Sequence, residues 1–218
     1  MHLPGTLVRI RGTRHATGLA MAARWSDSMS NVKGNALGGF KNFVAAQHGA
    51  AGVEQWLEGL SPQEAAQVGG IILPHGWYPV GLWNRLTDRY LTLFGGGHPQ
   101  CFRPIAAAIA EEDLQRFFTV LLKAASPATV LRRSASLWER YFDEGTMEAS
   151  EVAPRRYTVR LTASRLPDRG PGPITCSVGI PVWQERLMSH MGAREGRCLH
   201  TRCRFRGAKA CEFDVSWG

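Results

Sequence analysis

The hydrophobic period of this sequence switches at Gly145, and that switch constrains the fold more than any other feature. Before it, apolar residues recur at helical spacing; Leu114, Phe117, Phe118, Leu121 and Leu122 fit the i, i+3, i+4, i+7, i+8 template. After it the period is two. Residues 146–152 and 156–163 read as strands, the second with Tyr157, Val159 and Leu161 on one face. Residues 180–191 return to a helix entered through Pro181. Residues 197–205 and 211–215 read as a closing hairpin joined through 206–209. Helices followed by strand–strand–helix–strand–strand predict an α+β fold, a helical N-terminal half packed on a small antiparallel sheet.

Within the helical half, Leu37, Phe40, Phe43 and Val44 have helical spacing, which Val53, Trp56, Leu57 and Leu60 resume after a Gly-Ala-Ala-Gly break at 49–52. Ser61-Pro-Gln-Glu64 is a capping box with proline at the first helical position. Trp77-Tyr-Pro79 is expected to open a helix carrying Trp83, Leu86, Tyr90, Leu93 and Phe94. Gly95-Gly-Gly-His-Pro99 ends it, since no Gly-Lys-Ser/Thr follows to make a phosphate loop. Ser126-Pro127 caps a helix whose stripe is Val130, Leu131, Ser134, Leu137, Trp138, Tyr141 and Phe142. Residues 1–33, with one short strand over 7–11, read as an N-terminal extension, and 34–218 as a single domain.

A chain of 218 residues can bury a core without disulfides, and five cysteines, an odd number, suit a reducing compartment. No run approaches 18 apolar residues, so no membrane span is expected, and the absence of a leader pattern points to the cytoplasm. The net charge is +8. Arg194, Arg197, Arg202, Arg204, Arg206 and Lys209 fall within sixteen residues that hold a single acid, Glu195. This run reads as a solvated strand face. With no recognition helix behind it, and with Phe205 its sole aromatic, it does not predict sequence-specific nucleic-acid binding.

The specific chemical signal is C-terminal: Cys176, then Cys198-Leu-His200-Thr-Arg-Cys203, then Cys211. Zinc takes four tetrahedral thiolate or imidazole ligands, and the i, i+3 step from His200 to Cys203 lets two converge. Cys211 returns eight residues later across a hairpin, and Cys176 supplies a fourth donor. Cys198 is an alternative, though it shares the His200 face. The competing reading is three buried thiols and a surface histidine. Paired zinc-finger spacing is absent.

Residues 192–215, with Cys176 upstream, resemble the C-terminal half of the 4-vinyl-reductase-type domain, the sensor domain of phenol-responsive activators. The matching elements are Cys203, seven residues, then Cys211-Glu-Phe213, with His200 where those sensors carry a carboxylate. Gly49-Ala-Ala-Gly-Val53, Gly76-Trp-Tyr-Pro-Val80, Ser126-Pro127 and Leu137-Trp-Glu-Arg-Tyr-Phe-Asp143 are also similar to an uncharacterised myxobacterial family of the same fold, shared with haem-dependent nitric-oxide-sensor-like and TRAPP subunits. The resemblance implies a structural zinc on Cys176, His200, Cys203 and Cys211, and a pocket for a small apolar or aromatic ligand. Trp183, Leu187 and His190, sharing one helix face, are its candidate lining. The chain lacks the histidine and Tyr-x-Ser-x-Arg element of haem sensors, NAD or flavin motifs, and local support for a catalytic triad. The expected function is a zinc-stabilised bacterial sensor or adaptor that binds a small molecule without catalysis. The alternative is a dimeric, ligand-free interaction scaffold of the TRAPP kind.

Overall fold

The computed structural model describes residues 29–117 and 126–218. The strand expected over 7–11 and the apolar positions Phe118, Leu121 and Leu122 lie outside the described residues. Strand β1 (Asn31–Lys33) pairs antiparallel with β2 (Trp77–Pro79), setting Val32 opposite Tyr78. Val32 is fully buried, so the folded unit already includes residues assigned from sequence to the extension. Trp77–Pro79 is a strand rather than a helix start. Proline disfavours helical backbone in the residue before it, so Tyr78 stays extended and the helix begins only at Val80.

Between β1 and β2 run α1 (Gly34–Leu57) and α2 (Pro62–Gly69). The glycine-rich break at 49–52 is a kink, not a loop. Gly49 alone leaves helical geometry, with φ of 68°, a left-handed value that glycine adopts without steric cost. The capping box of α2 forms as read: the Glu64 N–H donates to Ser61 Oγ (3.3 Å) and the Ser61 N–H to Glu64 Oε2 (3.1 Å). The helical half is organised around Phe40, whose ring lies 4.6 Å from Trp56, 5.6 Å from Trp83 and 5.5 Å from Phe102. Such tilted and edge-on contacts add to the burial of these large rings.

Helix α3 (Val80–Phe94) is followed by a 3-10 turn and α4 (Arg103–Phe117). The stripe from Val130 to Phe142 does not form one helix. It is split into α5 (Pro127–Arg132) and α6 (Ser134–Trp138), because the Arg133 backbone leaves helical values; Tyr141 sits in the turn beyond and Phe142 bridges to Val32 of β1.

The second half forms a four-stranded antiparallel sheet from β3 (Thr146–Ala153), β4 (Arg156–Thr162), β5 (Arg197–Arg202) and β6 (Cys211–Ser216), ordered β3-β4-β6-β5. Tyr157, Val159, Leu161, Phe213 and Val215 form its buried face. A π-helical turn (Thr175–Gly179) leads into α7 (Ile180–His190), which packs against α4 and β5. The fold is α+β, and from β3 onward the elements follow the predicted order. Among the described residues no helix is long and apolar enough to cross a membrane.

Candidate functional site: a thiol–imidazole cluster beside an apolar cavity

Alternation along β5 turns Cys198 and His200 toward the buried face, paired with Val215 and Phe213 of β6. The register then slips between His200 and Arg202, and the strand gives way to a 3-10 turn (Arg204–Arg206). The Cys203 carbonyl accepts from the Arg206 and Ala208 N–H groups, and Gly207, at φ of 92°, reverses the chain toward Cys211. This hairpin brings the donor atoms of His200, Cys203 and Cys211 within 4.8 Å of one another. Ligands 2.3 Å from a tetrahedral zinc stand about 3.8 Å apart, so the cluster would need to tighten by only about 1 Å. The π-helical turn brings Cys176 Sγ to the Arg204 side chain, which also approaches Cys211 Sγ, but Cys176 itself lies outside that group of three. Cys198, although buried, is outside the group of three, and burial pushes its thiol well above the usual range.

A fifth residue completes the cluster. Arg204 was grouped by sequence with a solvated strand face, yet it is 1% exposed. Its Nη1 donates to Cys176 Sγ (2.9 Å) and lies 3.6 Å from Cys211 Sγ, its backbone N–H donates to Cys211 Sγ (3.5 Å), and Nη2 donates to the Pro171 carbonyl. Among the described residues no carboxylate stands within ion-pair distance of it. A buried guanidinium needs a counter-charge, and the sulfurs are the groups it touches. The electrostatics agree. The hydrogen bond from Cys176, then His200 and the Arg204 N–H and charge, pull the Cys211 thiol down against burial, while the same shared proton and burial push Cys176 up. His200 stacks on Phe213 (4.7 Å, 18° between planes), and its Nε2 is buried with no hydrogen-bond partner.

The other feature is an apolar cavity of about 90 Å³ between α1, α3, α4, α6, β3 and the start of α7. Three indoles, Trp83, Trp138 and Trp183, face it, together with Tyr141, Thr175 and Gln184. The three ligand residues read from sequence go to different places. Trp183 is a wall residue, its Nε1 donating to the Tyr141 hydroxyl (3.0 Å). Leu187 is fully buried in the core but is not among the cavity walls. His190 lies outside the cavity, at the exposed end of α7, with Nε2 3.0 Å from Glu111 Oε2. The buried side of α7 is Ile180, Gln184, Leu187 and Met188, about one residue round from the face chosen by its aromatics. Behind the cavity the Tyr141 hydroxyl donates to buried Asp113, which also accepts from Asn35 Nδ2 (3.1 Å). Burial raises the Asp113 carboxyl, opposed by those two hydrogen bonds.

A helical half joined to a four-stranded antiparallel sheet, with one helix inserted between the two hairpins, is the fold of the H-NOX proteins. An H-NOX protein from S. oneidensis in the Fe(II)NO ligation state matches 85% of this chain and 99% of its own, at 11% identity and a TM-score of 0.66. An Fe(II) unliganded H-NOX protein from K. algicida matches 85% of this chain and 96% of its own, at 12% identity and a TM-score of 0.61. At such identities the likeness is one of fold. No family model matches the sequence, and no curated protein does.

Proposed function

We propose that the chain is a zinc-stabilised module that binds a small molecule and acts as a sensor or adaptor, without catalytic activity. The observation that carries this reading is the dual role of one short turn. Thr175–Gly179 presents Cys176 to the cluster, while its Thr175 and Gly179, with the adjoining Ile180, form part of the cavity wall. A metal held there would fix the wall on which a ligand rests. Three thiolates and an imidazole are a closed structural set for zinc, leaving no position for a substrate. With Arg204 the centre would be neutral, since three thiolates, Zn²⁺ and one guanidinium sum to zero. The segment from Cys203 to Phe213 supports the 4-vinyl-reductase-type version of this reading.

Haem is the group the H-NOX likeness suggests, and the cavity does not fit it. None of the walls among the described residues is a histidine or cysteine, and the Tyr141 hydroxyl is already engaged by Asp113 and Trp183. The volume is below the roughly 150 Å³ that accommodates benzene, a far smaller molecule than haem.

Native mass spectrometry of protein purified without chelator is expected to show one zinc per chain, lost together with thermal stability on chelation. A metal-free protein of unchanged midpoint overturns the reading. The second reading, a dimeric scaffold, is favoured by exposed apolar residues on one segment: Ile71 (89% exposed), Leu73 (63%) and Trp77 (43%). On that reading the chain sediments as a dimer that Ile71→Lys with Leu73→Lys converts to monomer. A wild-type monomer dismisses it.

A further inference from the structure

We propose that the apolar cavity takes a compact hydrocarbon of about three carbons, held by dispersion contacts with its walls. The inference deepens the sensor reading by naming the class of its ligand, and rests on that reading. Of the cavity walls, Tyr141, Gly179 and Trp183 are half-buried and the rest are buried. The surface that these walls turn inward is almost wholly carbon. Thr175 and Gln184 therefore present next to nothing polar to a guest.

Chemistry and size then fix the class. Water suits a carbon-lined space poorly, because an internal water needs two to four polar partners. A charged or hydrogen-bonding guest fares no better, since it would give up its hydration without gaining a partner. Wall atoms that face a void lack contacts on that side, and a hydrocarbon supplies them with no hydrogen bond to surrender. The volume sets the length. A space of 90 Å³ is about three-fifths of the roughly 150 Å³ that takes benzene's six carbons, which leaves room for about three. An aromatic ring is too large, which separates this guest from a phenol. The guest would rest on Thr175, Gly179 and Ile180, so it would touch the turn that carries Cys176 to the cluster.

Even at the best efficiency per atom, a ligand of three heavy atoms binds no tighter than about millimolar, so the probe is xenon, whose NMR shift reports weak occupancy. Zinc-loaded protein is expected to shift the xenon resonance saturably. That effect is lost in the cavity-filling Ala106→Leu, or in Ala36→Val if the first variant fails to fold. Propane is expected to displace xenon at concentrations at least about tenfold lower than ethanol, which has as many heavy atoms and a hydroxyl. Benzene should displace it only from Ile109→Ala, where the wall gives up three carbons. A xenon shift that survives both cavity-filling variants overturns the assignment of the site. Ethanol acting as well as propane refutes the apolar class. Displacement by benzene from wild type refutes the size limit, and this assignment with it, but leaves the sensor reading standing. A wild type that responds neither to xenon nor, by tryptophan fluorescence, to propane or benzene removes both.

Discussion

In zinc-loaded protein, Cys211→Ser is expected to lower the unfolding midpoint by about 10 °C, while Cys101→Ser shifts it by less than about 2 °C. The expectation follows from where the metal binds. A preformed site is absent from the unfolded chain, so the binding free energy of a structural zinc is folding free energy. Cys211 is central to the cluster. It lies within 4.8 Å of the His200 and Cys203 donors, shares Arg204 Nη1 with Cys176, and accepts from the Arg204 N–H. Loss of a metal ligand belongs to the few single changes that cost about 3–5 kcal/mol, and in a chain of this size each kcal/mol corresponds to about 2–4 °C. Cys101 sits half-buried in the 3-10 turn before α4, its sulfur beside Gly95 and outside the group of converging donors, and is the matched control. Calorimetry with and without chelator checks it: chelation should bring wild type down toward Cys211→Ser. Equal midpoints for wild type and both variants would contradict a structural metal.

Arg204→Met is expected to weaken zinc binding by about 10–100-fold, the range typical of removing an outer-shell partner of a metal ligand. Arg204 donates to Cys176 Sγ and Cys211 Sγ from a position 1% exposed, so methionine would fill much of its volume while deleting the charge that balances the thiolates. The guanidinium also stacks over Phe205 (4.6 Å) and reaches the Pro171 carbonyl from its other arm. A lysine has no planar fork to span those partners, so Arg204→Lys should not restore affinity. Arg202, two residues earlier, provides the control. Its side chain is 71% exposed and pairs at the surface with Glu212 (3.4 Å), so Arg202→Met should leave zinc affinity within about twofold. Competition against a chromophoric chelator measures all three. An Arg204→Met protein with wild-type affinity would mean that the guanidinium serves packing alone.

The parts of the molecule legible in the sequence were those governed by local periodicity and by cap chemistry. The switch at Gly145, the capping box at Ser61 and the β4 face of Tyr157, Val159 and Leu161 depend on neighbours within a few residues, and they appear where they were read. The clustering of His200, Cys203 and Cys211 was legible because a hairpin fixes which residues lie opposite. What the sequence concealed depends on where regular structure stops. Unbroken alternation from Cys198 and His200 would turn Arg202 and Arg204 to the same buried face; the register slip after His200 instead sends Arg202 to solvent, and the 3-10 turn that ends the strand brings Arg204 inside. The orientation of α7 is concealed for a related reason. Its large and aromatic side chains mark the face of Trp183, Leu187 and His190, whereas packing against α4 and β5 centres the buried side on Ile180, Gln184, Leu187 and Met188. A polar residue at the centre of a buried helix face was the available signal. The Asp113–Tyr141–Trp183 chain joins residues 28 and 42 positions apart, and no local pattern encodes it.

Zinc K-edge X-ray absorption on the purified protein reads out whether Cys176, His200, Cys203 and Cys211 together hold one zinc ion. The expected first shell is three sulfurs at about 2.3 Å and one nitrogen at about 2.0–2.1 Å, the distances of tetrahedral thiolate and imidazole ligation. Replacing His200 with cysteine should convert it to four sulfurs without releasing the metal. A first shell of oxygen and nitrogen alone, or one whose sulfur count is unchanged in Cys176→Ser, would contradict the account.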